Sequence, residues 1–241
     1  MNTKIIISGH SSGLGRALAE HYLKAGCAVL GLARRRVDLR PSEKLLQHAI
    51  DLGDSKAVIR LLSDGMLDNF IDGADEIVLI NNAAVVAPNA VAGMQNPVEI
   101  TAAVSLNVAA PLLLSNHLIA RKPARSMLKI VHIGSGAGRN AYAGWSVYGA
   151  TKAALDHHAR CIAAEQHADI KTACIAPGVV DTDMQAEIRA AEAEAFPMLQ
   201  RFQDLKAQGG LSSAADTAAR IAAMIAGKDF GSETLDDVRR H

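Results

Sequence analysis

The sequence predicts an α/β fold, a doubly wound parallel sheet with helices on both faces, and three observations predict it. Short β-branched runs alternate along the chain with stretches of helical period. The runs are continuously apolar rather than alternating, as in strands covered on both faces. A glycine-rich turn joins the first run directly to the first helix. The chain has 241 residues, 49% of them hydrophobic and 21% charged, which suits one domain of ordinary size. No linker-like stretch divides it, so a single domain over 1–241 is expected.

The strand candidates are Ile5-Ile6-Ile7, Ala28-Val29-Leu30, Ile77 to Ile80, Ile130 to Ile133 and Thr172 to Ile175, with a weaker one at Gln47 to Ile50. Between them, Leu14, Ala17, Leu18, Tyr22 and Ala25 share one stripe, and Gly26 follows as a stop signal. Val58, Leu61 and Leu62 form another stripe behind Asp54 and Ser55, either of which can cap a helix start. Segments 98–120 and 147–168 read as long helices, and Ala214, Ala218, Ile221, Ala222 and Ile225 mark a last one closed by Gly227. In 183–208, Met184, Ile188, Phe196, Leu199, Phe202 and Leu205 recur at roughly helical spacing. Pro197 interrupts them, so two short helices with a bend are expected there.

Charge and composition narrow the function. Lys+Arg and Asp+Glu are 25 each and aromatics only 3%, a poor match to a nucleic-acid binder with its basic face and stacking rings. The three cysteines are odd in number and far apart, which fits a reducing cytosol. The first apolar run is too short for a signal-peptide core, and no stretch approaches the ~18–20 apolar residues of a membrane span. A cytoplasmic chain with no membrane partner is therefore expected. The nine histidines show no metal-ligand spacing. His157 and His158 read as surface or interface residues.

Ser8-Gly9-His10-Ser11-Ser12-Gly13-Leu14-Gly15 follows the first strand and opens the first helix. Gly9 lets the chain turn sharply, Gly13 lets the backbone approach a pyrophosphate, and Gly15 lets helix and strand pack closely. Phosphates would then meet free N–H groups at the positive end of the helix dipole. The second strand ends in Leu32-Ala33-Arg34-Arg35-Arg36 with no acidic residue. An acid there would suit NAD, whereas an arginine suits the 2′-phosphate of NADP. NADP(H) is the expected cofactor and Arg34 its contact.

Tyr148 and Lys152 are four apart, so on a helix they share a face. A nearby ammonium favours the phenolate and lowers a pKa that starts near 10. Ser135 lies just past the fifth strand, where its hydroxyl can hold a substrate oxygen beside the phenol. Asn107 is a polar residue inside an apolar helix and needs a partner. Trp145 reads as pocket wall or core, and its place three residues before Tyr148 favours the pocket.

Together these residues resemble the short-chain dehydrogenase/reductase family, with its Rossmann-like sheet, over nearly the whole chain. Gly9, Gly13 and Gly15 match its glycine motif, and Asn81-Asn82-Ala83-Ala84 its Asn-Asn-Ala-Gly motif. Asn107, Ser135, Tyr148 and Lys152 match its catalytic tetrad in order and spacing. Pro177-Gly178-Val179-Val180-Asp181-Thr182 matches its Pro-Gly loop, and Asp51-Leu52 the pair near the adenine. The resemblance implies a cofactor site that also includes Ser11, Ser12, Leu14, Asn82, Ala83, Ala84, Pro177, Gly178, Val180 and Thr182. Ser8 stands in place of the usual Thr, and Ser12 where many NADP-linked members carry Arg or Lys.

Gly144-Trp145 and Asp181-Thr182-Asp183-Met184-Gln185 are similar to the subgroup that includes sepiapterin reductases and bacterial benzil reductases. The resemblance implies NADPH-dependent reduction of a ketone or vicinal dicarbonyl, with Tyr148 as proton donor and Asn107 supporting a water path to Lys152. It also implies pairing into a homodimer or homotetramer through the helix that carries Tyr148. Segment 183–208 is expected to close over the substrate, with Met184 in contact. By alignment with the pterin-reducing members, Asp237 is a candidate substrate anchor, against the plain reading of a solvated acidic tail. Two rival functions remain at this point: a nucleotide sensor that kept the fold and lost catalysis, and a nucleotide-sugar epimerase or dehydratase. The intact Ser, Tyr and Lys speak against the first. The short stretch after Met184 speaks against the second.

Overall fold

The computed structural model describes residues 1–40 and 43–241. Its centre is one parallel sheet in the order β3-β2-β1-β4-β5-β6-β7. The strands are β1 (Thr3–Ser8), β2 (Ala28–Ala33), β3 (Leu45–Ala49), β4 (Glu76–Asn81), β5 (Met127–Ile133), β6 (Ile170–Ala176) and β7 (Leu235–Asp237). Ile5 pairs with Val29 on one side and Val78 on the other. The strand order reverses at β1 and β4, and ligands of such sheets bind at the carboxyl ends beside that switch point.

The continuous apolar runs have a direct structural cause. Alternate residues of one strand point to opposite faces, and both faces here are covered. Ile5 and Ile7 pack with α1 (Gly13–Lys24) and α9 (Ala214–Ala226), while Ile6 packs on the other side with α2 (Ser55–Ser63), α3 (Met66–Ile71) and α5 (Ala110–Arg121). On β6, Ala173 and Ile175 join the first face, and Cys174 meets Leu155 and Ala159 of α6 (Ser146–Ala164).

Helix starts follow local chemistry. Of the two candidates before α2, Asp54 is the cap, accepting from Lys56 N at 2.9 Å and Ala57 N at 3.2 Å. Asn96 caps α4 (Pro97–Val104), with Pro97 in its first turn. The single long helix expected over 98–120 is instead α4, a π-turn at Ser105–Ala109, and α5. Such an extra residue in a helix re-aims a side chain and marks functional positions; here that side chain is Asn107. Residues 97–121 also correct the reading that no stretch reaches membrane length. Their best window has a mean hydropathy of 1.6. Within the fold this stretch packs on the sheet through Ala110, Leu114 and Leu118.

Segment 183–208 contains two short helices as expected, α7 (Asp183–Arg189) and α8 (Leu199–Ala207). Between them Phe196 is fully buried and Pro197 follows it. The tail is not a free acidic end: Leu235–Asp237 adds β7 beside β6, with Ala176 opposite Asp237.

Candidate active site

The carboxyl ends of the strands open into one cavity of about 830 Å3. Every residue anticipated for cofactor, substrate or catalysis lines it, except Asn107 and Asp237. At one end the backbone turns out of β1 through Gly9, which has a φ of +73°. A Cβ on Gly9 would come within 3.0 Å of the Ala83 backbone, and one on Gly15 would collide with the Gly9 carbonyl oxygen. Both positions therefore exclude any larger residue. Ser12 gives the start of α1 no side-chain cap, so the N–H groups of its first turn stay available to an anion. Glycine turn and uncapped helix together fit a dinucleotide pyrophosphate.

The segment after β4 holds that turn in place. Ser8 Oγ accepts from the backbone N–H of Asn82 at 2.9 Å and of Ala83 at 3.0 Å. Asn82 Nδ2 donates back to the Ser8 carbonyl at 3.0 Å. The hydroxyl kept at position 8 thus ties β1 to β4. At the far end of the cavity lie Arg34, Arg35, Asp51 and Leu52. Asp51 Oδ1 accepts from Gly53 N at 2.9 Å, which fixes the loop after β3.

Tyr148 and Lys152 project from the first turns of α6 into the middle of the cavity, and Ser135 stands at the end of β5. Lys152 Nζ donates to the Ile133 carbonyl at 2.9 Å and lies 5.8 Å from the Tyr148 ring centre. Burial pushes the Lys152 ammonium down to about 8. Burial also raises the Tyr148 phenol, opposed only in part by a hydrogen bond with Ser135. This reverses the expected direction for Tyr148: desolvation by burial dominates. The result is a phenol that keeps its proton at neutral pH.

Asn107 lies behind the cavity. Its Oδ1 accepts from Val85 N at 2.9 Å, while its Nδ2 donates to the Val85 carbonyl at 2.8 Å and to Thr151 Oγ1 at 3.1 Å. It therefore fixes the cavity wall at Val85 and the α6 turn between Tyr148 and Lys152. Trp145 both lines the cavity and is buried in the cluster behind it. Its ring centre is 5.2 Å from Tyr148, 5.4 Å from Phe196 and 5.0 Å from Phe202. Its Nε1–H donates to Asn89 Oδ1 at 2.7 Å.

Asp237 does not face the cavity. It is buried at the end of β7 and accepts from Arg239 Nε at 2.9 Å and Nη2 at 2.6 Å. Arg239 holds its carboxyl below the usual range, and it is Arg239 that lines the cavity. A three-residue strand carries no periodic signal in the sequence, and with Asp237 buried at the end of β7 the exposed Arg239 just beyond it is the tail residue at the cavity.

Further residues missed by sequence reasoning support the site. Arg139 donates through Nε to Asp156 at 3.1 Å, through Nη1 to the Asp236 carbonyl at 3.0 Å and through Nη2 to the Cys174 carbonyl at 3.0 Å. It clamps α6, β6 and β7 together below Lys152. A signal existed in the sequence: Asp156 follows Lys152 by four on the buried face of a helix, and a buried carboxylate needs a cation. Tyr142 and Arg201 also line the cavity, as does Phe202 of the segment expected to close over it.

Comparison with known proteins agrees with this geometry. A family profile described as short chain dehydrogenase matches residues 3–193. Benzil reductase ((S)-benzoin forming) of Bacillus subtilis (strain 168) is 37% identical over 212 residues, 86% of this chain and 87% of its own. Sepiapterin reductase of Mus musculus is 31% identical over 245 residues, 94% of this chain and 93% of its own. The crystal structure of a short-chain dehydrogenase/reductase from Burkholderia vietnamiensis matches with a TM-score of 0.71 at 42% identity, over 80% of this chain and 93% of that one. The profile match runs from β1 through the glycine turn and α6 to the segment beyond Thr182, and by that extent this chain belongs to the short-chain dehydrogenase family.

Proposed function

We propose that this oxidoreductase is an NADPH-dependent carbonyl reductase that acts on a ketone or vicinal dicarbonyl. One observation carries the reading: a buried phenol that keeps its proton stands beside Ser135, in the same cavity as an uncapped helix start and an arginine pair at the end of β2. Bound reduced nicotinamide would supply the hydride. The first turn of α1 would hold the pyrophosphate, Asp51 and Leu52 the adenine side, and Arg34 the 2′-phosphate. Asn82, Ala83, Ala84, Pro177, Gly178, Val180 and Thr182 would complete the cofactor walls, and Lys152 the nicotinamide ribose.

The chemistry falls to this chain's own side chains. Ser135 holds the substrate oxygen, and Tyr148 gives it a proton as negative charge develops. Lys152 and Asn107, through Thr151, keep Tyr148 in place. Trp145, Phe202 and Met184 offer an apolar wall for aryl groups, and segment 183–208 acts as a lid that excludes water. The small residues Ala150, Ala153, Ala154 and Ala163 on α6 suit close packing against a second copy, so a homodimer or homotetramer in the cytoplasm completes the reading.

The test is oxidation of NADPH and NADH by the purified protein with 1-phenyl-1,2-propanedione, quinones and pterins. Turnover of a vicinal diketone with a preference for NADPH is expected. A protein that consumes neither cofactor with any carbonyl compound overturns the reading.

A further inference from the structure

The tail was expected to offer the substrate a carboxylate, yet its contribution to the cavity is a guanidinium. Arg239 is held rigidly for an exposed residue. Asp237 accepts from its Nε, its Nη2 and its backbone N–H, and the strand carrying Asp237 is itself clamped by Arg139 through the Asp236 carbonyl. This fork occupies one edge of the guanidinium and leaves the Nη1 donors for a ligand. A second arginine lines the same cavity: Arg201 of α8 lies over the Tyr142 ring, 5.3 Å from its centre. Both arginines and Tyr142 line the cavity.

Two acids share that end, Asp183 and Glu187 of α7. Burial and the neighbouring Glu99 raise the Glu187 carboxyl above its ordinary range. The aromatic wall of Trp145 and Phe202 stands beside the same space. The free Nη1 donors of Arg239 and the Arg201 guanidinium, in a cavity with an aromatic wall, suit a planar ring that carries an anionic acceptor.

We propose that Arg239, aimed by Asp237 and assisted by Arg201, binds a carboxylate on the carbonyl substrate, so that aryl oxo acids are preferred over uncharged carbonyl compounds. The proposal rests on the carbonyl-reductase reading for its substrate class, and a binding measurement separates the two. Trp145 is the only tryptophan in the chain, so quenching of its fluorescence in the full-length protein at saturating NADP+ reports the cavity. Benzoylformate is expected to bind at least tenfold more tightly than the uncharged benzoylformamide. Arg239→Leu should bring that ratio close to one, and Arg239→Lys, which keeps the charge but loses the fork, should leave it in between. An equal ratio in the parent protein and in Arg239→Leu, or no saturable quenching by benzoylformate, overturns the proposal. Turnover of 1-phenyl-1,2-propanedione with NADPH is read alongside. Turnover without acid selectivity removes the carboxylate site and keeps the reductase; acid selectivity without turnover of any carbonyl compound keeps the site and removes the reductase.

Discussion

Asn107 hydrogen-bonds both backbone groups of Val85, accepting from its N–H at 2.9 Å and donating to its carbonyl at 2.8 Å. It does so from a π-turn that breaks an otherwise α-helical stretch. The remaining donor reaches Thr151, the residue before Lys152. One side chain thereby sets the spacing between the cavity wall and the helix of Tyr148. Asn107→Ala leaves these partners unpaired, and a loss of about 1–3 kcal/mol is expected in urea unfolding. An unchanged midpoint would show that the clamp does not hold the wall.

The chemical roles are separable. Tyr148→Phe keeps the ring against Trp145 and removes the proton donor, so folding and NADPH binding should survive while turnover nearly vanishes. Ser135→Ala should lose on the order of 10²–10³ in kcat, as for other lost oxyanion donors. Near-normal turnover in Tyr148→Phe would sink the mechanism.

Arg34 stands at the end of β2 with Arg35, opposite the loop of Asp51. A charge-assisted bond to a 2′-phosphate is worth roughly 1.5–3 kcal/mol. Arg34→Ala should therefore raise KM for NADPH by about 10- to 100-fold and barely move that for NADH. Equal losses with both cofactors would refute the assignment.

Phe202 joins α8 to the catalytic end of α6 through Trp145. If segment 183–208 closes on substrate, amide exchange in α7 and α8 should slow when NADP+ and an aryl carbonyl compound are added together. Phe202→Ala should raise KM for the carbonyl compound more than for NADPH. Exchange that ligands leave unchanged would count against a lid.

His132 lies fully buried between β5 and α6, with Asn81 Nδ2 at 3.2 Å and His158 Nδ1 at 3.1 Å. Burial, with His158 and Lys152 nearby, pushes its pKa down to about 3 from 6.5. The unfolded chain then binds the extra proton first, so this residue's contribution is intact above about pH 6.5 and is lost as pH falls toward 3. The loss should amount to a few kcal/mol, on the order set by ~1.4 kcal/mol per pKa unit. Urea unfolding at pH 7 and pH 4.5 should show a smaller acid loss in His132→Gln than in the parent protein. Parallel losses would remove His132 as the cause.

Much of this molecule was legible in the linear chain because its signals are local. Continuous apolar runs mark strands covered on both faces. The glycines at 9, 13 and 15 and the four-residue step from Tyr148 to Lys152 need only their own neighbours to be read. What the tertiary structure decided depends on pairings between distant segments. Arg139 reaches Asp156, Cys174 and Asp236 only once β5, α6, β6 and β7 are assembled. The protonation preference of Tyr148 is set by its burial, opposed by the hydrogen bond with Ser135, not by sequence spacing. The tail shows the limit most clearly: three residues pairing with β6 bury Asp237 and leave Arg239 at the cavity's edge, and a strand that short exists only because its partner strand is already in place.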